Sequence, residues 1–278
     1  MRKAQLATLA GLASMLLVGF PITVLADTYV VGVEPSYPPW ASVSNGQFKG
    51  IAPDAVRAMA KQQGFDVRFK SLAFSSLIPA AKAHKIDIIA TALTVSKKRA
   101  KQIDFTVPWW EGIANVLVRK DSDKNIVTAM SHGARVGVQT GTTLYAWLKN
   151  NLVQKGINIH IHTYSNGPTG VSDLENGRID AYFDDNTTAQ NLIKHNANSI
   201  RLAGTIKYHP PALYALGVPK GDTKLLAILN KAEVQLYESG KWAKIVHKYL
   251  PGAAISRVPL ETPSYISSYQ KPIPGLGQ

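Results

Sequence analysis

The sequence contains no cysteine. That excludes disulfides, thiolate metal sites, a cysteine nucleophile and a lipid-modified N-terminal cysteine. Acidic residues are scarce: 18 Asp and Glu stand against 31 Lys and Arg, a formal charge of +13. Such an excess fits nucleic acid or an anionic surface when it is concentrated. Here Lys61, Lys70, Lys82, Lys120, Lys149, Lys194 and Lys244 are scattered, and the one dense run is Lys97-Lys98-Arg99. A solvated basic surface is the better reading, and nucleic acid is not expected as a partner. Past the N-terminal segment no run is apolar and long enough to cross a bilayer. There is no internal repeat, no serine–histidine–aspartate spacing and no metal-ligand cluster, so no catalytic residue, metal or cofactor is expected. His160 and His162 share one face of a strand, but no third ligand lies nearby.

What is present begins with Met1-Arg2-Lys3, a positive start, followed by an apolar stretch to about Thr23 and the small-residue site Val24-Leu25-Ala26. This pattern predicts a secretory signal peptide cleaved after Ala26. Gly11, Gly19 and Pro21 interrupt the stretch and argue against an uncleaved anchor. The exported product is expected to be free in a Gram-negative periplasm.

The chain then alternates strand and helix. Thr28 to Glu34 reads as a strand stopped by Pro35, Pro38 and Pro39. Gly50 to Gly64 reads as a helix with Pro53 in its first turn and Gly64 as its stop. Asp66 to Leu72 is a further strand, and Ser75 or Ser76 is expected to cap the next helix, with His84 at its end in a left-handed conformation. This β-α-β-α-β order implies a parallel sheet covered by helices. Glu111 to Arg119 reads as a crossing into a second lobe, and Arg135 to Gln139 begins a new strand. Thr140-Gly141-Thr142-Thr143 then opens a helix, which makes either an anion site at unpaired first-turn N–H groups or an ordinary threonine cap. Ile179 to Phe183 is a buried strand ending in Asp184-Asp185, where open α/β sheets bind ligands; either aspartate equally fits a helix cap. Leu213 to Val218 is a strand, and Asp222 to Leu250 is helical with a break at Ser239-Gly240. The proline-containing end to Gln278 reads as extended.

One stretch organises the rest: Ile86 to Trp110, IDIIATALTVSKKRAKQIDFTVPWW. A buried strand runs through Thr91, Thr94 and Ser96 into the basic turn at Lys97-Lys98-Arg99. Hydroxyls, free N–H groups and an arginine fork can hold a carboxylate; the alternative is a solvated basic loop. The stretch resembles the signature of the periplasmic amino-acid-binding proteins of ABC importers, solute-binding family 3, loosely DxIxxxxTxTxxRxxxxxFTxPY. Asp87, Thr94, Arg99, Phe105, Thr106 and Pro108 match, and Trp109 stands where the family usually has Tyr. The resemblance runs from Tyr29 to about Leu250. The family's GFDVDL segment is only partly kept, as Gly50 and Asp54 with Ala52 and Pro53 between them.

The resemblance implies a two-lobed α/β periplasmic-binding-protein fold, each lobe a mostly parallel sheet flanked by helices, joined by two hinge strands. The expected layout is a leader at 1–26, lobe one at 27–115 and 213–255, lobe two at 116–212, and a tail at 256–278. It also implies a ligand site. Arg99 and Thr94 would hold an amino acid's carboxylate with the N–H groups of Thr142 and Thr143. Asp185 would take the ammonium with the carbonyl of Ala92, and Tyr37 and Phe74 would sandwich the side chain. Plain core packing is the alternative for Tyr37 and for Trp40. Glu34 and Asp184 would lie towards the distal end and favour a polar or cationic side chain, whereas Leu144 stands where some cationic-ligand relatives carry a polar residue. The implied partners are an amino acid and an inner-membrane permease, with the chain acting as a monomer. The rival is a dehydratase of the cyclohexadienyl type on the same scaffold, with Glu34 or Asp184-Asp185 as general acid.

Overall fold

A computed structural model describes residues 26–207 and 212–255. The expected leader and the 256–278 tail lie essentially outside these residues. Two five-stranded sheets carry the chain. The first half builds β1 (Thr28–Val33), β2 (Ser36–Tyr37), β3 (Ala41–Ser44), β4 (Gln47–Lys49), α1 (Ile51–Gln63), β5 (Asp66–Ser71), α2 (Phe74–Lys82), β6 (Ile88–Ile89), α3 (Lys97–Ala100), β7 (Ile103–Phe105) and β8 (Trp110–Gly112). The second builds β9 (Ala114–Arg119), α4 (Ile126–Ala129), β10 (Ala134–Gln139), α5 (Thr143–Asn151), β11 (Ile159–Tyr164), α6 (Gly167–Glu175), β12 (Ala181–Asp185), α7 (Asn186–His195) and β13 (Ile200–Ile206). The chain then returns through β14 (Ala212–Tyr214) to β15 (Gly217–Pro219), α8 (Thr223–Glu238) and α9 (Lys241–Tyr249).

The first sheet has the order β5-β1-β6-β15-β7 and the second β11-β10-β12-β9-β13. β1 sits between β5 and β6, and β10 between β11 and β12, each paired parallel to both neighbours. One crossover therefore goes left and the next right, so each lobe has a crevice outside the carboxyl ends of β1 and β6, or of β10 and β12. β15, β9 and β13 run antiparallel to their neighbours, because they belong to the crossings between lobes.

Both faces of each sheet are covered. In lobe one Ile51, Val56 and Met59 of α1 and Leu225, Leu229 and Leu236 of α8 form one core layer, and Leu77 and Ala81 of α2 the other. In lobe two Leu144 and Leu148 of α5 cover one face, and Val171 and Leu174 of α6 the opposite one. Gly64 ends α1 at φ 72 with its N–H donated to Ala60 O, and His84 takes the left-handed conformation at φ 51. Two details differ from the sequence reading. The cap of α2 is Ala73, with no side-chain bond, and not Ser75 or Ser76. The stretch Glu111 to Arg119 is two strands: β8 pairs with β14 in a separate ribbon, and β9 joins the second sheet. The second sheet thus takes over at Ala114, and residue 115 already lies inside β9. Among the described residues no helix is long and apolar enough to cross a membrane.

Candidate functional site

The two crevices face each other, and their residues meet. Arg99 lies on α3, a four-residue helix capped by the Ser96 hydroxyl, which accepts from Arg99 N at 3.3 Å. The sequence predicts a turn here; the cap instead coils it and turns Arg99 inward while Lys97 and Lys98 stay exposed. Arg99 is 6% exposed. Its Nη1 donates to Thr94 O at 2.7 Å and its Nη2 to Gly141 O of the other lobe at 3.2 Å. Its Cζ stands 5.2 Å from the centre of the Phe74 ring. Burial pushes its pKa down to about 10, so it remains a cation at neutral pH. The solvated-loop alternative holds for the two lysines and not for the arginine.

Opposite lies the start of α5. Thr142 is its cap: its hydroxyl accepts from Tyr145 N at 3.2 Å and donates to Gln139 O at 2.8 Å. Helix geometry leaves the first-turn N–H groups, from Thr143 on, without intrahelical partners. The Thr143 hydroxyl reaches Thr94 Oγ1 at 3.2 Å, across the lobes. Six of the nine residues expected at the site, Phe74, Ala92, Thr94, Arg99, Thr142 and Thr143, line one small space of about 20 Å³, and Tyr214 closes it. A space of that size holds roughly one water, so an amino acid can enter only as the lobes part.

The remaining three, Glu34, Tyr37 and Asp185, are not part of that lining. Asp185, 2% exposed, takes the cap reading of its position, with its second oxygen turned to the other lobe. Its Oδ1 caps α7, accepting from Thr187 N at 2.9 Å, and its Oδ2 accepts a short hydrogen bond from Tyr214 OH. Burial raises its pKa, and the bonds from Thr187 and Tyr214 oppose that rise. Tyr37 is buried and donates through its hydroxyl to Asp184 Oδ1 at 2.6 Å, so in this closed arrangement it is anchored to a carboxylate. Glu34 is buried at the end of β1 and accepts from Ser36 N at 3.3 Å; burial raises its pKa. Trp40 is both core and bridge: it has no exposed surface, and its Nε1 donates to Thr187 Oγ1 at 2.8 Å. His160 and His162 lie exposed on the edge strand β11, and among the described residues no group of three potential ligands is placed to hold a metal.

Sequence reasoning missed Tyr214, Thr187 and the Gly141 carbonyl. Each acts across the lobe boundary, and only the aromatic in the return strand ALYALG left a trace in the sequence. The hydroxyl of Thr91, at the end of β6, is buried without a partner among the described residues.

Residues 29–252 fit the model of the bacterial extracellular solute-binding proteins, family 3. The chain belongs to that family. ABC transporter arginine-binding protein 1 of Escherichia coli K12 is 31% identical over 231 residues, covering 81% of this chain and 92% of that protein. The histidine-binding periplasmic protein of the same strain is 31% identical over 225 residues, covering 79% and 86%. Among solved structures, an ancestral arginine-binding protein bound to arginine superposes with a TM-score of 0.74 at 31% identity, covering 81% of this chain and 99% of that one.

Proposed function

We propose that this family member is the periplasmic solute-binding component of an ABC importer. It captures a polar or cationic L-amino acid between its lobes and delivers it to an inner-membrane permease. The observation that carries this reading is the meeting of opposite charges at one lobe boundary. Arg99 of lobe one and Tyr214 line the same space, and Tyr214 is bonded to Asp185 of lobe two. A free amino acid presents a carboxylate and an ammonium, and burying both requires paired, hydrogen-bonded partners. In this reading Arg99, the Thr94 hydroxyl and the N–H groups of Thr142 and Thr143 take the carboxylate. Asp185 and the Ala92 carbonyl take the ammonium, with Phe74 and Tyr37 flanking the side chain and Glu34 towards its far end.

The two Escherichia coli relatives are named for binding arginine and histidine, which supports the cationic class. Because both lobes contribute, ligand favours the closed arrangement. No reaction is assigned to the site. A thermal-shift screen of the mature chain against the protein amino acids tests the reading. Arginine, lysine, histidine or glutamine is expected to raise the melting temperature while aspartate and glutamate leave it unchanged. A response to glutamate alone would reverse the charge assignment.

A further inference from the structure

A second concavity, of about 570 Å³, shares no residue with the lining of the ligand space. One wall belongs to lobe two: Asn186, Gln190, Asn191 and Lys194 of α7. The other belongs to lobe one, with Pro39 and the stretch from Tyr249 to Ala254, and Trp110 of the ribbon joining the lobes completes it. Thr187 also lines the groove, and its hydroxyl accepts from Trp40 Nε1 of lobe one at 2.8 Å. The groove therefore crosses the lobe boundary.

Its chemistry is mixed. Trp110, Tyr249, Pro39 and Pro251 offer flat apolar surface beside the side-chain amides of α7. Gln190 Nε2 donates to Asn186 Oδ1 at 3.3 Å, while the Asn191 amide has no hydrogen-bond partner among the described residues. Lys194 is exposed, is the one charged residue of the lining, and belongs to none of the ion pairs among the described residues. Rings interleaved with amide donors suit an extended, proline-bearing segment, whose prolines pack on the rings and whose unpaired carbonyls accept from the amides.

The chain supplies such a segment at the rim. The stretch from Pro251 to Ala254 lines the groove, His247 Nε2 holds Ala253 O at 3.0 Å, and Ile255 packs on the core of lobe one. A further 23 residues follow, outside the described residues. The family match ends at residue 252, so they are an addition to the shared plan. They contain Pro259, Pro263, Pro272 and Pro274 and a single acid, Glu261. From Ile255 to Glu261 an extended chain spans about 19 Å, and α7 runs about 12 Å from Asn186 to Lys194. The segment is thus long enough to cross the groove and bring Glu261 to Lys194. A second copy or a separate partner lacks this tether, which gives an effective concentration on the order of millimolar.

We propose that residues 256–263 dock in this groove and clamp the two lobes. Contacts to both walls favour the arrangement in which the walls stand this far apart, so the clamp biases the protein towards closure. Nothing in it depends on which ligand the cleft takes.

Carbodiimide coupling of the mature chain, mapped by mass spectrometry, tests the placement. The expected product is an amide between Lys194 and Glu261 within one monomer. It should be lost in Glu261→Gln and formed again in the exchanged pair Lys194→Glu with Glu261→Lys. Trypsin tests the hold. Beyond Ile255 it can cut only after Arg257, because Lys271 precedes proline. Release of residues 258–278 should be roughly two- to fivefold faster in Lys194→Glu than in the parent, the range expected for loss of one surface ion pair. Without added amino acid, energy transfer between dyes on the two lobes should also fall in that variant. An amide formed only between copies overturns the proposal, and so does a release rate that Lys194→Glu leaves unchanged. Faster release with unaltered energy transfer overturns it too, since the segment would then rest on one lobe alone.

Discussion

In the closed arrangement the two terminal nitrogens of Arg99 donate to the carbonyls of Thr94 and Gly141. In the proposed capture, a ligand carboxylate has to take over donors that now serve main-chain oxygens. Truncation removes the cation and strands that carboxylate, so Arg99→Ala should weaken amino-acid binding by about 2 kcal/mol or more, measured by calorimetry. Arg99→Lys should recover only part of the loss, because an ammonium cannot reproduce a planar fork. Arg99 and Asp185 were legible in the sequence because short patterns surround them, a hydroxyl-rich strand end in one case and a strand ending in paired aspartates in the other. Tyr214 was not. Its value lies in reaching Asp185, 29 residues away in sequence and on the other lobe, and nothing local marks such an encounter. Helix cap and charged partner were two competing explanations for Asp185 in the sequence; the fold satisfies the cap with one oxygen and leaves the other for Tyr214.

At the scale of elements, the ribbon β8–β14 fixes Tyr214. Trp110 pairs with Tyr214 and Gly112 with Ala212. A Cβ on Gly112 would collide with the Tyr214 ring and hydroxyl. Gly112→Ala should therefore weaken ligand binding without altering any residue proposed to touch the ligand, by displacing the Tyr214 hydroxyl from Asp185; titration of this variant against the parent checks it. Helix α8 supplies a different test. Its Glu233 is buried and accepts from Thr106 Oγ1 at 2.7 Å, while its second oxygen has no partner among the described residues. Burial holds this carboxyl well above the usual range. The folded state thus keeps a proton that the unfolded chain gives up, and stability falls as pH rises from the unfolded value towards the folded one. Glu233→Gln should flatten that slope and raise the melting temperature at mildly alkaline pH, as followed by thermal denaturation across pH. Periodicity and punctuation made α1, with Gly64, and α5, with Thr142, readable. The α2 start was not, because Ala73 offers no side-chain signal and the helix is held by packing of Leu77 and Ala81. The apolar run after Glu111 hid a strand break, since buried strands of either lobe look alike in sequence.

Over the whole molecule, direct hydrogen bonds tie the lobes together: Arg99 to Gly141, Thr143 to Thr94, Tyr37 to Asp184, Trp40 to Thr187 and Tyr214 to Asp185. Ligand that binds only the folded protein adds stability by mass action, about 2.7 kcal/mol at a hundred times its dissociation constant. For a protein of this size that corresponds to a rise in melting temperature of roughly 5–10 °C, readable by scanning calorimetry with and without the favoured amino acid. The two-lobed plan was legible from the alternation of strands and helices and the resemblance that spans them. The closeness of the lobes was not, since every one of those bonds joins residues whose sequence neighbourhoods look unrelated. The two covalent passages between the halves run side by side and are stitched to each other. A pair of strands bonded edge to edge flexes out of its plane far more readily than it skews within it. The halves are therefore expected to swing about that ribbon, and spin labels placed across the mouth should report a shorter separation with the favoured amino acid than without it.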